Sequence, residues 1–257
     1  MDSSLRRLFV LGLAVGALLA LPDVASAQLK VIASGGFTAA YRELLPQFER
    51  ETGITVTTTS GGSIGSGPNT IGGQLRRGVQ ADLVILAREG LTELIAEQRI
   101  VPGTDTNLAR SLIGLIVRAG APQPDISTVD RLTRVLLAAK SVAVSSSTSG
   151  VYLTTTLFPK LGITEQMAAK TTMRGAALVG TGEAEIGLQQ VSEVLPIKGT
   201  TFVGTIPAEV QYVTTYAGAV VAGSVRVDDA RRLLAFLASE GATAAIARSG
   251  MEPARGR

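Results

Sequence analysis

Hydrophobic and polar positions along this 257-residue chain fall into short β-branched runs followed by stretches of helical period. Leu29 to Ala33 is the first such run. It is followed over Phe37 to Glu51 by Ala40, Leu44, Leu45 and Phe48 on one helical face, with Gly53 as the stop. A second strand is predicted over Ile54 to Thr59, and a helix from Asn69 to Arg77 closed by Gly78. Asp82 to Ala87 is almost entirely apolar, as a strand buried on both faces of a parallel sheet must be. The order is βαβαβ. Glu89 to Gln98 predicts one more helix, ended by Pro102-Gly103.

A second α/β unit follows. Strands are predicted over Ser111 to Val117, Ser141 to Ser145, Lys170 to Met173 and Glu185 to Gln190, with helices from Ser127 to Ala139, Val151 to Leu161 and Ala176 to Gly182. Phe202 to Ile206 and Gln211 to Ala222 read as further strands, and Asp228 to Ser239 and Ala242 to Ser249 as terminal helices. The late strand and terminal helices return to the first unit. The expected architecture is therefore α/β with two lobes facing a cleft: residues 28–109 and 211–257 form one lobe, and residues 110–210 the other. Hinges are expected near Ala109 to Arg110 and Val210 to Gln211.

The first 27 residues read differently. Arg6 and Arg7 precede an apolar stretch from Leu8 to Leu21, and Ala25-Ser26-Ala27 has the small-x-small form of a cleavage site. Residues 1–27 are expected to be a signal peptide and the mature protein to be periplasmic. The chain has no Cys, so neither a disulfide framework nor a lipid-bearing thiol is available to it. The formal net charge of +3 is scattered and aromatic residues are few, which argues against a nucleic-acid surface. With no His either, and no acidic cluster at metal-ligand spacing, neither a metal nor a cofactor is expected.

Candidate chemistry lies at three junctions where a strand meets a helix: Ser34-Gly35-Gly36-Phe37-Thr38, Ser60-Gly61-Gly62-Ser63 with the Gly-rich loop beyond it, and Ser145 to Gly150. Hydroxyls cap orphan helix amides there, glycines let amides approach a ligand, and the helix dipole favours an anion. For Thr38, Ser63 and Ser149, helix capping and ligand contact are both open and mutually compatible. Arg88, directly after the buried strand, can clamp a carboxylate or pair with Glu89 or Glu93 on the surface; Arg174 faces a similar choice. Gln189 and Gln190 end an apolar strand, where an interior amide must find a partner in a ligand or across the lobes. Gly61-Gly62-Ser63-Ile64-Gly65 matches a Gly-x-Ser-x-Gly nucleophile elbow, but the chain lacks the His base such a hydrolase uses.

The stretch Leu29 to Ala87, then Ser149-Gly150-Val151-Tyr152, Met173-Arg174-Gly175-Ala176 and Gly182-Glu183-Ala184-Glu185-Ile186-Gly187, in this order, resembles the periplasmic molybdate-binding proteins of ABC importers. The resemblance implies a two-lobed periplasmic-binding-protein fold of type II, a small anionic ligand, a membrane permease of an ABC transporter as partner, and a monomer. It puts the family's first anion-binding Ser on Gly36, its second on Ser63, its backbone donors near Ser149 and Met173, and its anion-binding Tyr on Gln190. The missing hydroxyls at Gly36 and Gln190 and the enlarged loop from Ile64 to Thr70 point to a divergent branch with a larger ligand, an organic carboxylate. Molybdate or tungstate is the alternative ligand, and a secreted serine hydrolase without His the alternative class. The expected protein is a binder and not an enzyme. Its expected site comprises Ser34, Gly35, Gly36, Thr38, Ser60, Gly61, Ser63, Arg88, Ser149, Gly150, Met173, Arg174 and Gln190.

Overall fold

The computed structural model describes residues 28–254, so the signal-peptide expectation lies outside the described residues. Two sheets organise the chain. In the first, β1 (Leu29–Ala33) pairs in parallel with β2 (Val56–Ser60) on one side and β3 (Leu83–Ala87) on the other. Beyond β3 the sheet turns antiparallel, through β10 (Thr214–Val220), β4 (Thr106–Ser111) and the short β11 (Glu252–Pro253). The alternation along β3 explains why it is wholly apolar. Leu83, Ile85 and Ala87 join the core formed with Tyr41, Leu44 and Phe48 of the helix Thr38–Thr52, whereas Val84 and Leu86 join Ile71, Leu91 and Leu94 on the opposite face. Each such side chain contributes about 1.5–3 kcal/mol by leaving water.

The second sheet runs β7 (Thr171–Thr172), β6 (Val142–Val144), β8 (Ile186–Gln190), β5 (Ile113–Arg118), β9 (Thr200–Thr205). It repeats the two-faced logic. Ile113, Leu115 and Val117 pack against Leu132, Leu136 and Leu157, and Ile116 packs on the other side against Ala176 and Val179.

Sequence and structure part company at the crossover between sheets. A single strand starting at Ser111 was expected, yet β4 occupies Thr106–Ser111 in the first sheet and only Leu112 separates it from β5 in the second. Thr106, Asn107 and Arg110 give β4 almost no apolar signal; only Leu108, Ala109 and Ser111 are buried along it. The helix expected from Val151 begins earlier, at Thr148, and passes through a π-type stretch, Leu153–Leu157. There Thr154 and Thr155 donate their hydroxyls back to Gly150 O and Val151 O, each at 2.8 Å, and such back-bonding deforms a helix. The short helix Val191–Val194 after β8 was not expected at all, because four residues show no period. Among the described residues no helix is long and apolar enough to cross a membrane.

Gly150 sits where the second unit's main chain closes on itself: a Cβ there would lie 1.7 Å from the Ser145 carbonyl oxygen. Gly150→Ala should therefore lower stability by about 1–3 kcal/mol or more. Gly67→Ala, at a glycine with nothing within 4 Å and no positive φ, should stay within about 0.5 kcal/mol of the parent. Urea midpoints of the two variants check this, and equal midpoints would contradict the packing at Gly150.

Candidate functional site

Four strand ends and one strand interior meet at a cavity of about 70 Å³. After β1 come Ser34, Gly35 and Gly36; after β2, Gly61, Gly62 and Ser63; after β6, Ser145, Ser147, Thr148 and Ser149; at the end of β8, Gln190 and Glu193. Tyr216 of β10 completes the lining. In open α/β sheets this region beyond the carboxyl ends of parallel strands is where ligands sit. Ser34 Oγ and Thr148 Oγ1 are buried and have no hydrogen-bond partner among the described residues. A buried hydroxyl left without a partner costs on the order of 1–3 kcal/mol, so both are poised for a polar ligand.

The hydroxyl missing at Gly36 has a replacement from another strand. A Cβ at Gly36 would lie 1.7 Å from the Tyr216 hydroxyl oxygen, so the glycine leaves room for that phenol. Burial first, then the negative charges of Glu193 and Glu89, push the Tyr216 phenol well above its ordinary value of 10. It therefore stays a neutral donor.

Glu193 is the cavity's only charged lining residue, and its Oε1 lies 2.5 Å from where a Gly35 Cβ would be. Burial raises its carboxyl above the ordinary carboxylate range, with the Gln189 amide pulling it partly back. Asp82 shows the contrasting case. That buried carboxylate accepts from Lys30 N at 2.8 Å and from Ser224 Oγ at 2.7 Å, and its work is structural. Glu193 is in no ion pair among the described residues.

Ser63 is held on three sides. Its Oγ accepts from Ala87 N at 3.0 Å, its carbonyl packs on Gly90, and its N–H donates to Ser147 Oγ at 3.3 Å across the two units. Its hydroxyl thus tethers the loop to the end of β3, which neither helix capping nor ligand contact anticipated, and its proton is still free to donate. The amides of Gly61 and Gly62 are already committed to Ala33 O and Asn69 O, at 3.3 and 3.0 Å. Across the cavity Ser145 Oγ joins Ser149 Oγ at 3.0 Å and accepts from Gly150 N at 3.2 Å.

Of the expected residues, Ser34, Gly35, Gly36, Gly61, Ser63, Ser149 and Gln190 line this cavity, and the others do not. Arg88 turns away to Asp105 (2.7 Å) and Asn107, since these polar side chains after the helix Arg88–Ala96 reach its guanidinium first. Arg174 is exposed and pairs with Glu183 at 3.3 Å, and Met173 beside it is exposed as well. Thr38 donates to Ser34 O at 3.0 Å; Ser60 lines an outer groove; Gly150 supports the Ser145 loop from behind. Gln190 does touch the cavity, but its amide is engaged. With its oxygen accepting from Thr214 Oγ1 at 2.6 Å, its nitrogen donates to Ser111 Oγ, Ser111 O and Leu112 O, each at 3.2 Å. Glu193 and Tyr216 were not anticipated. One signal for Glu193 was available, an acidic residue three positions past the end of an apolar strand.

Residues 29–252 match the family described as bacterial extracellular solute-binding protein. The chain belongs to this family. An aconitate isomerase from Pseudomonas sp is 40% identical over 250 residues, 94% of this chain and 95% of the relative. A molybdate-binding protein from Escherichia coli (strain K12) is 28% identical over 209 residues, 76% of this chain and 78% of its own. The periplasmic molybdate-binding protein of Azotobacter vinelandii, at 18% identity, shares the fold with a TM-score of 0.69 over 89% of this chain and 100% of that one. The two-lobed α/β expectation thus holds. The expectation of a protein without enzymatic activity does not: the relative that is 40% identical over nearly the whole chain is named for an isomerase. A chain without His or Cys can still carry acid–base chemistry on a carboxylate.

The raised Glu193 carboxyl predicts a pH dependence of stability. Below the usual Glu value of about 4.3, folded and unfolded chains are both protonated. As pH rises past that value the unfolded chain releases its proton while the folded chain keeps it, so stability falls until Glu193's own raised pKa is passed. Glu193→Gln should remove this decline. Denaturant midpoints across the acidic range for parent and variant check it, and parallel profiles would mean an unperturbed Glu193.

Proposed function

We propose that this solute-binding protein is an isomerase of small unsaturated polycarboxylates, with Glu193 as the acid–base group. The observation that carries the reading is a carboxylate without an ionic partner inside a cavity otherwise lined by hydroxyls, amides and glycines. A site evolved only to hold an anion gains nothing from a negative charge in its wall. A site that moves a proton needs such a group, and burial raises the Glu193 pKa in the direction that makes its carboxylate a stronger base.

The chemistry is an allylic proton shift. The Glu193 carboxylate takes a proton from the methylene carbon next to the double bond. The electron pair of that C–H bond forms a new π bond to the central carbon, and the old π pair becomes a carbanion on the far carbon, spread into its carboxylate. Glu193 returns the proton to that far carbon, so one C–H bond breaks, one forms, and the carboxylate ends as it began. Tyr216, Ser34 and Thr148 supply neutral donors for oxygens on which charge builds, and preorganised donors of this kind lower such barriers. No cofactor is called for.

Membership of the family supports a periplasmic location and a second role for the same cleft, presentation of the captured acid to an ABC-transporter permease. The likeness to the Escherichia coli molybdate-binding protein favours that additional role.

Nuclear magnetic resonance of cis- and trans-aconitate with the purified protein tests the reading. Interconversion is expected, with a rate that rises with pH through the raised Glu193 value. Glu193→Gln should slow it by about 10²–10⁴-fold while aconitate still raises the melting temperature. Binding without conversion by the parent, or undiminished conversion by Glu193→Gln, would overturn it.

A further inference from the structure

We propose that the groove beside the cavity is a second carboxylate subsite in which Arg77 selects substrates with more than one acidic group. The inference rests on the polycarboxylate reading above. The inner cavity, about 70 Å³, is much smaller than the groove of about 650 Å³ that it adjoins. None of its lining residues is cationic, and one is anionic, so the remaining carboxylates must find their counter-charge outside.

Across the rim formed by Gly35, Gly61 and Gly62, the cavity adjoins an open groove of about 650 Å³. Its far wall carries Asn69, Gln74 and Arg77, part of the enlarged loop and the helix Ile71–Arg76 that follows it. Eight other arginines are in ion pairs with carboxylates; Arg77 is in none among the described residues. Its Nη2 donates to Pro68 O at 2.7 Å, which anchors the guanidinium while Nε and Nη1 have no partner among the described residues. A planar guanidinium anchored at one corner is suited to a bidentate carboxylate. The Asn69 carboxamide adds a neutral donor on the same wall.

A second groove, about 350 Å³, also meets the cavity and carries Arg42, which is likewise in no ion pair among the described residues. Glu193 lines that groove too, and a substrate carboxylate there would face it. The Arg77 groove has no acidic residue in its lining. Charge therefore favours Arg77.

The test is titration calorimetry with propane-1,2,3-tricarboxylate, a saturated probe that cannot react, together with KM and kcat for aconitate. Arg77→Ala should weaken the probe and raise KM by about 10- to 150-fold, the range for one charge-assisted hydrogen bond, with kcat changed far less. Arg42→Ala should leave the affinity within about threefold of the parent. Unchanged affinity in Arg77→Ala, a loss confined to Arg42→Ala, or no binding of the probe by the parent would overturn the subsite. A parent that binds the probe but does not convert aconitate overturns the isomerase reading alone, and the same titration then still decides the role of Arg77.

Discussion

Leu112 alone separates a strand of one sheet from a strand of the other. Two sheets tied by one residue cannot drift apart, and the backbone groups around the tie must still be satisfied in a partly buried place. Two glutamines do this. Gln190 binds Thr214 and, around Leu112, the carbonyls of Ser111 and Leu112 itself; Gln211 accepts from Ile113 N at 2.8 Å and donates to Ile113 O and Ile206 O at 3.0 and 3.2 Å. Both crossings between the sheets are thus fastened by side-chain amides at one end of each sheet. The strand ends that bear Ser34, Ser63 and Ser149 are brought to that same end, which is why the cavity forms there.

This arrangement also explains the exchange of hydroxyls at the site. β10 re-enters the first sheet directly beyond the second crossing, between β3 and β4, so Tyr216 lies beside the end of β1. From there its phenol fills the space above Gly36. At Gly36, where the resemblance puts a Ser, there is no side chain, and an aromatic hydroxyl from a strand 180 positions later occupies the place. Only Gly is compatible with that neighbour, because any Cβ would overlap the ring.

The fold was largely legible because its cores obey simple periods: β3 alternates between two hydrophobic clusters, and Tyr41, Leu44 and Phe48 recur at helical spacing. β4 was not, since its pairing with β10 and β11 is carried by backbone bonds on a mostly polar segment. At the site, the Ser and Gly junctions were readable because capping and loop chemistry are local. Glu193 against Gly35 and Tyr216 against Gly36 are contacts between distant parts of the chain, and no local pattern announces them. The arginines misled for the converse reason. Arg88 and Arg174 stand at strand ends as a clamp would, but Asp105 and Glu183 capture them, and exposed pairs of this type follow whichever carboxylate lies within reach.

The proposed isomerase chemistry asks little of a binding scaffold. The proton that an allylic shift removes is the proton it restores, so one carboxylate suffices, with no electron acceptor and no leaving group to dispose of. What the protein must add is a site that keeps water from competing for the proton and holds both reacting carbons near the same oxygen. Gly36 leaves room for Tyr216, and Glu193 on the short helix after β8 reaches across to Gly35. For the proposed polycarboxylate the cost is a negative charge in the wall of its site, and it is tolerable only where the ligand's own charge is balanced elsewhere. On the proposed reading, the chemistry of Glu193 and the neutralisation of a polycarboxylate outside the cavity are two parts of one electrostatic requirement.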